Sequence, residues 1–258
     1  DSYFQVYEEI FKNYIEKKII FVEVGVLGGG SLFMWKEYFG KDARIIGIDL
    51  NPEAKKWEKY GFEIFIGSQS DEKFWNYFYE KVGKIDILLD DGGHHNRQQM
   101  TSVYSAIPNI KDGGVIVVED THTSYMSPFG NPSKHSFINF SKHMIDKINY
   151  RFPDISFKNK YKSEKKIFSI SFYESIVVFN INSKKCFVPE HVNTTGDPYA
   201  VSDFSFTESF PKIQGFIDKK LPILKKIPII KKIVKILFYK KNIIWKIKEY
   251  FVLRKFFK

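Results

Sequence analysis

Leu88-Leu-Asp-Asp-Gly-Gly-His-His95 is an apolar run that stops abruptly at two carboxylates, and Val115-Ile-Val-Val-Glu-Asp-Thr-His-Thr123 repeats the pattern. Continuous apolar runs of this length are strands buried on both faces, as in parallel sheets covered by helices. In such sheets ligands bind beyond the carboxyl ends of the strands. Two of these strands side by side would bring Asp90, Asp91, Glu119 and Asp120 to one mouth, with His94 and His95 beside them. Like charges so crowded call for a cation or a shared proton. A hard divalent metal with a neighbouring base meets that need.

On either side of these stretches, strand-like runs at 19–24, 44–48, 62–66, 85–89 and 115–118 alternate with helical patterns around 32–38, 71–81 and 96–107. This alternation predicts an α/β fold with a parallel sheet covered on both faces. Tyr3, Tyr7, Ile10, Phe11 and Tyr14 recur at helical spacing, so the chain is expected to open with an amphipathic helix. After Tyr125 the sequence turns polar, with Pro128, Pro132 and Pro153, and a helix is expected near 137–148. The runs 167–173 and 176–181, split by Glu174-Ser175, read as an antiparallel hairpin on the sheet edge.

Composition narrows the function classes. The single cysteine, Cys186, excludes a disulfide framework and any cysteine-based zinc site, and fits a reducing compartment. No run of about 18 uncharged apolar residues suggests a membrane-spanning helix. The acidic, amphipathic start does not read as a signal peptide, so the expected location is the cytoplasm. The net charge of +10 is unevenly spread: residues 216–258 carry +12, leaving the remainder at −2. A nearly neutral domain over 1–182 is therefore expected, followed by an irregular connection over 183–215 and a basic tail over 216–258.

Phe21-Val-Glu-Val-Gly-Val-Leu-Gly-Gly-Gly-Ser31 is a strand running into glycines and then a helix. Glycines there let the backbone approach a ligand, and the helix N-terminus offers free N–H groups. Asp49 ends the next strand, near the offset at which an acidic residue meets a ribose. A nucleoside cofactor is the expectation. The spacing is not G-x-G-x-x-G, and a carboxylate at Glu23 would repel a pyrophosphate while suiting an ammonium group such as that of S-adenosylmethionine.

Glu23-Val-Gly25, Gly28-Gly-Gly-Ser-Leu-Phe-Met-Trp35, Gly47-Ile-Asp-Leu50, Gly67-Ser-Gln-Ser-Asp71, Asp90-Asp-Gly-Gly-His94 and Val118-Glu-Asp-Thr-His-Thr-Ser-Tyr125 follow one another in order. Together they resemble the metal- and S-adenosylmethionine-dependent sugar O-methyltransferases of the macrocin and mycinamicin type, over roughly residues 3–180. The resemblance implies a Rossmann-like class I methyltransferase fold, with a mostly parallel seven-stranded sheet and an antiparallel edge hairpin. It implies that Glu23 and Gly25 line the methionine end of the cofactor and Asp49 the ribose, with Ser31 also binding the cofactor. Ser68 and Gln69 would lie near the adenine, and Asp90 near the cofactor. Asp91, Glu119 and Asp120 would hold Mg²⁺ or another hard divalent cation, Asp91 would share in catalysis, and His94 would be the general base. Gly93 stands where the family usually has Ser, the first glycine loop is shorter, and His95 is extra; His95 itself reads as structural, or as a partner to a ligand, rather than as the base.

The tail lies outside this resemblance. Ile229, Ile230, Ile233, Ile236 and Leu237 repeat at helical spacing with Lys231, Lys232 and Lys235 on another face, a pattern suited to an anionic membrane surface. That would make the protein peripheral on the cytoplasmic membrane face, while packing against the core or a second subunit in a homo-oligomer is the rival reading. The wealth of Lys, Ile, Phe and Asn, together with the tail, favours a capsular or other surface-glycan sugar as substrate, free or nucleotide-linked. A macrolide or other natural-product sugar is the alternative within the same chemistry. RNA methylation guided by the tail is a second alternative, with nucleic acid disfavoured as a partner. A nicotinamide-dependent oxidoreductase using the glycine turn is disfavoured, because Glu23 is badly placed for a pyrophosphate.

Overall fold

Seven strands form one sheet in the order β3-β2-β1-β4-β5-β7-β6. They are β1 (Ile20–Val24), β2 (Arg44–Asp49), β3 (Glu63–Ile66), β4 (Ile85–Asp90), β5 (Ile110–Val118), β6 (Ile167–Tyr173) and β7 (Ile176–Ile181). The first five pair in parallel, and β7 joins β5 and β6 antiparallel. This is the expected mostly parallel sheet with its antiparallel hairpin at one edge. The computed structural model describes residues 2–152, 164–188, 250, 251, 253 and 254, and Asp1–Glu190 forms one compact unit.

Side chains alternate across a strand, so each strand feeds two cores. Val22, Ile46, Leu88 and Ile116 pack on one face beneath α3 (Glu72–Val82), α4 (Asn96–Ala106) and α5 (Phe137–Asn149). Phe21, Ile45, Ile87 and Val117 pack on the other, beneath α1 (Ser2–Phe11) and α2 (Gly30–Phe39). Aromatic side chains dock α1: Phe11 stands edge-on to Trp35 at 5.5 Å between ring centroids, and Tyr7 does so at 5.1 Å.

Two elements differ from expectation. The fifth strand begins at Ile110 rather than at 115, because Lys111-Asp112-Gly113-Gly114 is absorbed into it where the register against β4 shifts between Ile85 and Ile87. A glycine pair reads as a turn, but here it forms an irregularity within a strand. Periodicity marks no element between Asp49 and position 62, yet Pro52–Tyr60 is a 3-10 helix, started by the Asn51 side chain accepting from the Glu53 N–H and closed by Gly61.

The connection begins with a 3-10 turn at Ser183–Lys185, and from position 189 onward the connection and the basic tail lie outside the described residues apart from four positions. Among the described residues, no helix is long and apolar enough to cross a membrane.

Candidate active site

The carboxyl ends of β1, β4 and β5 are neighbours, and strand alternation sorts their acidic residues by face. Glu23 shares the α2 side with Phe21. Its carboxylate accepts from Ser31 Oγ at 2.8 Å and from Trp35 Nε1 at 3.0 Å. Burial raises its pKa to about 7, the two donors pull it back, and Asp91 pushes it up again.

Asp90 points to the other face. There Gln69 Nε2 donates to its two oxygens at 2.8 and 3.1 Å, and the Gly92 N–H donates at 3.2 Å. Burial raises its pKa as well. Gln69 also accepts from the Gly93 N–H at 2.8 Å, so its amide fastens the 90–93 turn. Gln69 and Asp90 thus pair with each other on the face opposite Glu23. Ser68 accepts from the Ser70 N–H at 3.3 Å within its own turn.

Asp91 returns to the α1 side, its N–H continuing the ladder to the Val24 carbonyl at 3.0 Å. Burial raises its pKa to about 7, helped by Asp120 and Asp90. The Asp91 carbonyl crosses so close to Gly25 that a Cβ there would collide with it, and Gly25 has φ +94°, in the left-handed region. We expect Gly25→Ala to destabilise the fold by about 1–3 kcal/mol and to push Asp91 out of place. A thermal melt that matches wild type would show the turn to be more tolerant than this.

Asp120 and His94 are both non-glycine residues with positive φ, 52° and 56°. Such backbone persists only where surrounding contacts enforce it, and it clusters at functional sites. Thr123 Oγ1 provides one such contact by bonding to the carbonyls of both residues, at 3.1 Å to His94 and 2.8 Å to Asp120. The result is that His94 Nε2 lies 3.5 Å from Asp120 Oδ2 and 4.0 Å from Asp91 Oδ1. Asp91, His94 and Asp120 each offer a ligand atom within 4.8 Å of the others. Among the described residues, the buried His94 Nδ1 has no hydrogen-bond partner. Crowded carboxylate oxygens are the donors that hard divalent cations take, so the residues present fit such an ion.

Glu119, one residue earlier and just past the end of β5, faces α1 instead. It is bonded by the Tyr7 hydroxyl, and burial, then Asp91, raise its pKa to about 8. It is therefore beside Asp91 without joining the compact group of three. Tyr3 donates to Asp120 Oδ1 at 2.7 Å. Glu23, Ser31, Asp91 and Glu119 line one cavity of about 430 Å³, roofed by Tyr3, Phe4 and Tyr7 of α1.

Asp49 Oδ2 accepts from the N–H groups of Val26 at 2.9 Å and Leu27 at 3.0 Å, holding the glycine turn. His95 caps α4, its N–H bonded to Gln98 Oε1 at 3.1 Å, and its ring packs on Phe129. Tyr3, Tyr7 and Trp35 carry roles that the sequence reading missed. Their helical spacing marks them as core, and only their hydroxyl and indole N–H groups hint at polar partners.

The chain matches no family model. It is 27% identical over 186 residues to 8-demethyl-8-alpha-L-rhamnosyl tetracenomycin-C 2'-O-methyltransferase of Streptomyces olivaceus, covering 68% of this chain and 49% of that protein. It is 31% identical over 157 residues to mycinamicin VI 2''-O-methyltransferase of Micromonospora griseorubida, covering 56% and 39%. Among solved structures, the methyltransferase MycE of mycinamycin biosynthesis, in complex with Mg and SAH, superposes with a TM-score of 0.63 at 26% identity, over 69% of this chain and 48% of that one. A complex of MycE that also contains mycinamycin VI gives 0.60 at 25%, over 69% and 49%. The chain spans about half the length, or less, of the curated relatives it matches. The fold is that of the class I methyltransferases, and over this shared part the chain is similar to sugar O-methyltransferases of macrolide and tetracenomycin pathways.

Proposed function

We propose that the protein transfers the methyl group of S-adenosylmethionine to a sugar hydroxyl, aided by Mg²⁺ or another hard divalent cation. The observation that carries this reading is the compact group of Asp91, His94 and Asp120 beside the cavity that Glu23 lines. S-adenosylmethionine supplies a methyl that is already electrophilic, so the chain's own task is to bind, to orient and to take one proton. Glu23 suits the cofactor's ammonium group, and Asp49 keeps the glycine turn shaped for it while retaining lone pairs for a ribose. Ser68 and Gln69 border the adenine end, where Gln69 and Asp90 act by fixing the turn that leads to Asp91.

Asp91 and Asp120 would hold the cation, with Glu119 as the third carboxylate. Bound there, the cation would orient vicinal hydroxyls and make one of them more acidic. His94 Nε2 faces both aspartates and is the atom suited to accept the hydroxyl proton. The aspartates then stabilise the charge that the ring gains.

The named relatives act on glycosides of natural products, and a sugar carried on such a molecule is the acceptor class we favour. The surface-glycan, nucleotide-sugar and RNA readings, and a membrane-facing location, rest on composition and the basic tail alone. The test is methyl transfer from S-adenosylmethionine to rhamnosyl glycosides, with and without EDTA. We expect a mono-methylated sugar whose formation EDTA abolishes and Mg²⁺ restores. Turnover indifferent to EDTA would remove the cation from the reading, and failure to bind S-adenosylmethionine would end it.

A further inference from the structure

We infer that Tyr3 and Tyr7 of α1 are positioning residues that aim Asp120 and Glu119, so that α1 is part of the cation site without touching the cation. The inference rests on the proposed cation reading. The two tyrosines lie one helical turn apart, so their side chains share a face. Their hydroxyls reach two consecutive residues just past the end of β5, Tyr3 to Asp120 and Tyr7 to Glu119. Each takes one carboxylate oxygen, Oδ1 of Asp120 and Oε1 of Glu119. For Asp120 the consequence is direct, because the other oxygen, Oδ2, is the one that faces His94 at 3.5 Å.

Adjacent residues of an extended chain point apart, and Asp120, past the strand and with positive φ, departs from that alternation. The tyrosines hold both side chains in place after the backbone has turned. Hydrogen bonds of this kind to ligating carboxylates typically change metal affinity by 10–100-fold when lost.

α1 also has ties remote from the site, which separate aiming from mere docking. Tyr173 on β6 donates to Glu9 at 2.9 Å, and Tyr38 on α2 donates to Glu8 at 2.9 Å. These bonds hold the same helix but touch no site carboxylate.

The experiment is titration calorimetry of Mn²⁺ into the full chain without cofactor, for wild type, Tyr3→Phe, Tyr7→Phe, Tyr173→Phe and Tyr38→Phe, with a thermal melt of each in EDTA. Tyr3→Phe keeps the partly exposed ring, so it reports even if Tyr7→Phe fails to fold. We expect Tyr3→Phe and Tyr7→Phe to weaken Mn²⁺ binding about 10–100-fold, while Tyr173→Phe and Tyr38→Phe leave it unchanged. Unchanged or tighter binding in Tyr3→Phe would overturn the inference, as would an equal loss in Tyr173→Phe, which would make docking the cause. No Mn²⁺ binding by wild type would instead overturn the cation reading on which the inference stands.

Discussion

Replacing His94 with alanine is expected to lower kcat by about 10²–10⁴-fold, the usual contribution of a positioned general base. A sugar hydroxyl is a poor nucleophile, so its proton must leave as the carbon–oxygen bond forms. His94 is suited to take it. Nε2 is 3.5 Å from Asp120 and 4.0 Å from Asp91, where a hydroxyl held against those carboxylates would lie within reach. The ring is fixed by its strained backbone and by the Thr123 bond to its carbonyl rather than by a bond to Nδ1. His94 also belongs to the candidate ligand group, so two roles compete. Calorimetry separates them: as a base, His94→Ala loses turnover while Mn²⁺ and S-adenosylhomocysteine bind as in wild type. A parallel loss of Mn²⁺ affinity would make His94 a ligand, and retained turnover would discard both roles. His94→Gln, which keeps a polar side chain of similar reach, should be as inactive as the alanine variant.

Much of this was legible because the informative signals are local. An apolar run ending in Asp90-Asp91 or Glu119-Asp120 states both the strand and the end at which carboxylates gather, and each lies within one short window. The hairpin bounds at 167–173 and 176–181 coincide with β6 and β7 for the same reason. What escaped the sequence depends on partners far along the chain. Tyr3 meets Asp120 across 117 positions and Tyr7 meets Glu119 across 112, so both read only as the apolar face of a helix. Gln69 illustrates a different limit. Its position in a recognisable motif suggested the adenine, whereas its amide is taken up by Asp90 and the Gly93 N–H. The division of Glu119 from Asp120 was foreseeable from strand alternation, except that the left-handed turn at Asp120 has no signature in a single sequence.

The metal-free protein is expected to lose stability as pH rises from about 4 to about 8, and a divalent cation is expected to restore much of it. Glu23, Asp91 and Glu119 have pKa values raised to about 7, 7 and 8, chiefly by burial. A carboxyl whose pKa is higher folded than unfolded binds its proton more tightly in the native state. Its contribution is fully present below its ordinary value near 4 and lost as pH climbs through the folded value. Each unit corresponds to about 1.4 kcal/mol, so the two well-buried glutamates together account for several kcal/mol. Asp91, with 42% of its side chain exposed, adds less than its shift suggests because solvent screens it. A cation among these groups favours their ionised forms and releases protons, so its stabilising effect should grow with pH, the reverse of the metal-free trend. Asp91→Asn should melt higher than wild type in EDTA near pH 8, since it removes a charge repelled by Asp120, and should lose most of the response to Mg²⁺. Thermal melts in EDTA and in Mg²⁺ across this range provide the check. A flat metal-free profile would mean that the carboxylates are already compensated by the protein itself, and the electrostatic demand for a cation at this mouth would then disappear.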